Sequence, residues 1–334
     1  MSKKRSIAFI LGLLITIMLL AACGNDTPAE VVAPTPAPTV EATPQPTPEP
    51  TPESEQTPEE PPEPTTIYDR EGFEVILPDS IETIVSIAPS NSEILIALGL
   101  GDLIIAADNN FVVGLNQDVK VLDMFGLDLE HIISLNPDLI VASSMIMFAG
   151  DPLEPARDLG IAVAYIPTSD SIEGVKEDIR FLAEVFEVEA RGEAVIAEME
   201  AEIAEIQAIV AGVTERRTVY FEISAAPFTF GGGTFLNELV EIAGGINIFA
   251  DQDAWFSPSA EDVLTLDPDV ILTSTDYIDD PIGELLSRDG WGVLTAIQNG
   301  NVHIIDTDAS NRPSQNVVLA IRQIAQAVYP EYFG

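Results

Sequence analysis

The chain has one cysteine and two histidines in 334 residues. A single thiol forms no internal disulfide, so the folded part must rely on its core. Cys23, His131 and His303 are too few and too scattered to make the soft-ligand cluster that grips a bare transition-metal ion, and no metal site is expected. A Ser-His-Asp hydrolase needs a histidine near a nucleophile, and neither histidine has that context: His131 follows Glu130 on a predicted helix and His303 falls inside a predicted strand. The phosphate-cradling patterns GxGxxG and GxxxxGKS/T are both missing, so Gly231-Gly232-Gly233 reads as a tight turn. Carboxylates are too numerous for any pair to stand out as an acid/base couple. The residues therefore give no support to an enzyme or to a cofactor of its own. Basic residues are scarce as well, 14 Lys and Arg against 55 Asp and Glu for a net charge of −41, which excludes nucleic acid and anionic lipid surfaces as partners. No apolar run reaches the ~20 residues that span a bilayer.

The apolar run at Ile7–Leu20 follows Lys3, Lys4 and Arg5 and leads into Leu20-Ala21-Ala22-Cys23. That order is a signal peptide over residues 1–22. LAAC resembles the bacterial lipobox, which implies that Cys23 becomes a diacylated first residue, and two acyl chains give durable membrane attachment. The protein is thus expected on the extracytoplasmic face of the cell membrane, lipid-anchored. Residues 23–66 form a linker: from Thr27 to Thr66 there are 13 of the chain's 25 prolines and eight glutamates, with no lysine or arginine. Such a segment cannot bury enough apolar surface to order itself, and at about 3.1 Å per residue it reaches on the order of 100 Å when extended. It reads as a semi-stiff acidic stalk, glycosylated or wall-spanning being the alternatives.

Beyond the linker the chain repeats itself. DLEHIISLNPDLIVAS (Asp128–Ser143) aligns without gaps to SAEDVLTLDPDVILTS (Ser259–Ser274), and both copies read as a short helix, a Pro-Asp turn and a buried strand. The 131-residue offset is the size of an α/β lobe. Apolar runs at 84–88, 103–107, 139–142 and 163–166, then 219–223, 270–273 and 302–305, alternate with helical patterns, which predicts mainly parallel sheets covered by helices. Val195, Met199, Ile203, Ile206 and Val210 recur at helical spacing in a segment without internal proline. The fold class is therefore α/β, two Rossmann-like lobes joined by a single long α-helix: an N-terminal lobe over 67–188, the connecting helix over 189–213 and a C-terminal lobe over 214–334. A rigid helical spacer predicts limited hinge motion. Asn91 and Ser92 are expected to cap the helix that follows the first strand.

The markers VSIAPSNSEILIALGLGD (Val85–Asp102), the two repeat copies, GGGTFLNELVEIAGGINIFAD (Gly231–Asp251) and DASNRPSQN (Asp308–Asn316) resemble the substrate-binding lipoproteins of ABC importers for ferric siderophores, haem and cobalamin, over nearly all of Ile67–Phe333. The resemblance implies a monomer that captures an iron-chelate or corrinoid ligand between its lobes and delivers it to an ABC permease dimer, with little lobe movement. It also implies that Glu130 and Glu261, equivalent positions of the repeat, dock onto the two permease subunits, as a pseudo-twofold pair facing a twofold partner would. Both also suit a helix first turn, where the macrodipole favours a carboxylate by ~0.3–1 kcal/mol. Resemblance to cobalamin-binding members places Phe228, Trp255, Asp308 and Arg312 at ligand-binding positions. The N-terminal lobe offers Asn109, Asn110, Met124 and Ser144, with Phe111 and Phe125 nearby, where cobalamin binders present aromatics. Phe228 and Trp255 as core aromatics, and Arg312 paired with a surplus carboxylate, stay open, as does a tethered ligand-sensing receptor.

Overall fold

A computed structural model describes residues 65–110, 115 and 118–333. The alternation of apolar runs with helices resolves into two parallel sheets. In the N-terminal lobe the order is Lys120–Leu122, Ile104–Asp108, Ile84–Ile87, Leu139–Ser143, Ala162–Ile166, all parallel. In the C-terminal lobe it is Ile246–Asn247, Thr218–Glu222, Val270–Thr273, Val302–Ile304, again parallel. Parallel strands are buried on both faces, which is why these segments are near-continuously apolar.

The repeat extends beyond the sixteen residues that reveal it. Asp138 accepts hydrogen bonds from the Thr83 amide and hydroxyl, both at 2.8 Å, and Asp269 accepts the same pair from Thr218 at the same distances. Each bond ties the start of one central strand to the turn before its neighbour. Asn136 and Asp267, also 131 residues apart, both adopt positive φ (48° and 40°), a region that Asn and Asp tolerate best after glycine. The Pro-Asp turn thus folds identically twice.

The connecting helix runs from Glu189 to Val210, three residues short of its expected end, and is about 33 Å long at 1.5 Å per residue. Val195, Ile196, Met199 and Ile206 are buried in one continuous core that includes strands of both lobes. Ion pairs clamp its polar face to either side: Lys176 of the N-terminal lobe meets Glu200 at 3.0 Å, and Arg322 of the C-terminal lobe meets Glu202 at 2.5 Å. A helix packed this way resists bending.

Two local expectations change. Thr65 and Thr66, placed in the linker, open a hairpin of Thr65–Tyr68 with Glu74–Leu77. Asp69 in its turn accepts from the Phe73 amide and, at 2.8 Å, from the Tyr165 amide, docking the hairpin on the lobe's edge strand. Asn91 and Ser92 do not cap. Pro89, whose missing N–H suits a first helical position, opens the helix Pro89–Ala97, and Asn91 and Ser92 lie buried in its first turn, where the Ser92 hydroxyl bonds Ser86 at 2.8 Å.

Candidate functional site

In a parallel α/β sheet the loops after the strands gather at one end, the usual place for a ligand. Here the loops from both sheets meet at the junction of the lobes. A cavity of about 460 Å³ lies between Thr168, Ser169 and Asp170 of the N-terminal lobe and Gly232, Trp255 and Asn311 of the C-terminal lobe. A second, of about 520 Å³, lies between Glu93 and Asn110 on one side and Asp306, Asp308, Arg312 and Gln315 on the other.

Local sequence explains how the C-terminal wall is built. The three glycines permit a close backbone approach: a Cβ on Gly231 would fall 2.0 Å from the Gln252 carbonyl oxygen, and one on Gly232 2.3 Å from that of Ala250. Gly233 has φ +69°, and Thr234 then caps the helix Phe235–Ile242. This crossing pairs Thr229–Phe230 with Trp255–Phe256 as an antiparallel ribbon. It also brings two of the expected residues together, since the Phe228 and Trp255 rings stack at 6.4 Å with planes 17° apart. Trp255 is 44% exposed at the cavity wall. The Ser224–Pro227 loop is propped from below, where the Tyr277 hydroxyl accepts from the Ala225 amide at 2.8 Å and Arg288 donates to the Ala225 carbonyl at 3.1 Å. Arg288 is in turn gripped by the buried Glu222 through two bonds of 2.7 Å.

Asp308 and Arg312, one helical turn apart, form an ion pair at 2.5 Å. The guanidinium also crosses the junction, donating to the Asn110 carbonyl and to Glu93, each at 2.9 Å. Glu93 is 5% exposed and accepts further bonds from Ser314 and, at 2.9 Å, from Asn316. The network joins the first helix of one lobe to the last loop of the other. Burial pushes the Asp308 carboxyl up, and the charges of Asp306, Glu93 and Asp276 add to that against the pull of Arg312.

In the N-terminal lobe Met124 is buried and its amide bonds Asp108 at 3.0 Å, while Asn110 turns its side chain to the same carboxylate at 2.9 Å. Phe125, by contrast, is 64% exposed. Sequence reasoning missed Phe148, 83% exposed, and Met145 beside it, which follow strand Leu139–Ser143, as well as Tyr277 after its repeat counterpart Val270–Thr273. A large apolar residue just past a strand's carboxyl end is the signal that would have found them.

Glu130 and Glu261 are both exposed second residues of their helices, Leu129–Ser134 and Ala260–Leu266, each capped by the residue two before it, Asp128 and Ser259. Each helix leads back into a parallel strand, so its amino end lies at the cleft-side rim. Cys23, residues 1–64 and Phe111 lie outside the described residues. Among the described residues no three His, Cys, Asp or Glu side chains assemble into a metal-binding group, and no helix is long and apolar enough to cross a membrane.

Comparison with known proteins agrees with this geometry. The chain is 30% identical over 278 residues to an uncharacterized ABC transporter substrate-binding lipoprotein of Bacillus subtilis, covering 81% of this chain and 87% of the relative. It is 30% identical over 258 residues to a vitamin B12-binding protein of Vibrio campbellii, covering 73% and 88%. A solved structure of a possible iron-binding, periplasmic solute-binding protein from Staphylococcus epidermidis superposes with a TM-score of 0.68 at 25% identity, over 75% of this chain and 99% of the other. The periplasmic binding protein family model matches residues 84–309, and the chain belongs to that family.

Proposed function

We propose that this chain is the extracytoplasmic substrate-binding lipoprotein of an ABC importer, anchored through Cys23 after removal of residues 1–22 and raised on the stalk of 23–64. The two lobes, spaced by the helix Glu189–Val210, capture a ferric-siderophore, haem or cobalamin-type complex and deliver it to the permease. The observation that carries the reading is the Phe228–Trp255 stack beside a cavity shared by both lobes. A stacked aromatic pair suits a bulky, planar or chelated ligand. Phe125 and Phe148, both exposed, line a further cavity with Met124 and Ile146 within the N-terminal lobe. The relatives named for B12 and iron point to the same ligand class. No bond is made or broken: capture rests on aromatic burial, and delivery rests on Glu130 and Glu261 meeting the permease. Titration of the protein with a ferric siderophore, haem and cobalamin, followed by tryptophan fluorescence, tests this. Saturable quenching by one of them is expected, and none by any of the three would sink the ligand class.

A further inference from the structure

The charges around the junction say something about the cargo that the aromatic faces do not. Eleven lysines and arginines lie in residues 65–334. Arg312 is the one among them that lines either junction cavity. Its guanidinium is already shared between the buried Glu93 and Asp308. Arg288, under the Ser224–Pro227 loop, is likewise matched by Glu222 and Glu284. Against Arg312 stand five carboxylates on the two cavity walls: Glu93, Asp306 and Asp308 on one, Asp170 and Asp253 on the other. Burial pushes the Asp308 carboxyl up, and Asp306, Glu93 and Asp276 push it the same way against the pull of Arg312.

We propose, on the strength of the receptor reading above, that the junction selects a ligand with no net negative charge: a neutral or cationic metal chelate, with polyanionic chelates refused. The reason is local. An anion entering the cleft meets a surplus of carboxylates in a partly water-excluded space, where unlike and like charges interact more strongly than in bulk water. The one guanidinium within reach can answer it by leaving Asp308, which turns that carboxylate on the anion, or by leaving Glu93, and a buried Glu93 left without its partner is costly. Neutral ligands pay neither penalty, and a cation gains from the field.

Calorimetric titration of the purified full-length protein with three probes tests this: a neutral cyano-corrinoid, a cationic linear ferric trihydroxamate carrying a free amine, and a trianionic ferric tricatecholate. The expected result is that the corrinoid or the trihydroxamate binds and the tricatecholate binds at least about tenfold more weakly, with the gap narrowing as salt screens the carboxylates. Asp308→Asn, at a side chain that is 59% exposed and cheap to change, should improve tricatecholate binding by about threefold to tenfold and so narrow its gap to the better of the other two probes. A tricatecholate that binds within tenfold of the better of the other two, or more tightly, overturns the charge selection and leaves the receptor reading standing. Failure of all three, and of haem, to bind overturns the receptor reading, and this inference with it; binding of haem alone, whose two propionates make it an anion, overturns the charge selection and leaves the receptor reading standing.

Discussion

Removing Glu93 should loosen the lobe junction, and the structure sets the size of the effect. Glu93→Ala deprives Arg312, Ser314 and Asn316 of a shared acceptor that is 5% exposed. Breaking a buried ion pair by deleting one partner costs about 3–5 kcal/mol, because the survivor stays desolvated. Arg312 keeps Asp308 and the Asn110 carbonyl, so about 3 kcal/mol is the reasonable figure here. With each kcal/mol worth about 2–4 °C in a domain near this size, thermal unfolding should shift down by about 6–12 °C. Scanning calorimetry of the wild type, Glu93→Ala, Arg312→Ala and the double variant closes a cycle in which the two losses are strongly non-additive, with a coupling of about 1–3 kcal/mol. A Glu93→Ala shift below 2 °C, or additive single losses, would refute the reasoning, because the network would then be a surface contact.

Other parts of the account can be checked separately. Glu130→Ala with Glu261→Ala should abolish or sharply reduce uptake in cells while stability changes by about 1 kcal/mol or less and ligand affinity is unchanged; normal uptake would return both residues to their helix-end role. Trp255→Ala should weaken binding of whichever chelate the protein takes by roughly thirtyfold, the equivalent of about 2 kcal/mol, and an unchanged affinity would remove the stack from the site. Asp138→Ala should cost about 1–3 kcal/mol, read by urea unfolding, since it orphans the Thr83 amide and hydroxyl. Desolvation pushes Asp138 up, but the bonds from the Thr83 hydroxyl and the Glu82 and Thr83 amides outweigh it and hold its carboxyl below the usual range. Its contribution is therefore complete above the unfolded pKa of about 3.9 and is lost as pH falls through the lower folded value, so the wild type and Asp138→Ala should converge in stability under strong acid.

Much of the fold was legible because the signals were local and doubled. The sixteen-residue repeat fixed the helix, turn and strand of each lobe, and the Thr83–Asp138 and Thr218–Asp269 bonds show why the same residues recur. The long helix declared itself by apolar spacing. Short ribbons did not: Thr229–Phe230 pairs with Trp255–Phe256 across a 26-residue separation, and two residues leave no period to read. The site was half legible. Phe228 and Trp255, and Asp308 and Arg312, do come together in pairs, but nothing near Arg312 in the sequence reveals that its partner is Glu93, 219 residues away. Phe148 was missed because it lies outside any periodic segment, on a loop whose exposure only the sheet topology reveals.

The central claim is that the junction of the two lobes holds a metal chelate of the siderophore, haem or corrinoid class. Native mass spectrometry of the full-length protein, with absorption spectra, after exposure to a mixture of ferric siderophores, haem and corrinoids tests it most directly. A coloured one-to-one complex that is lost in Trp255→Ala is the result expected; a colourless protein at its bare mass, with every chelate left in the flow-through, would contradict the account.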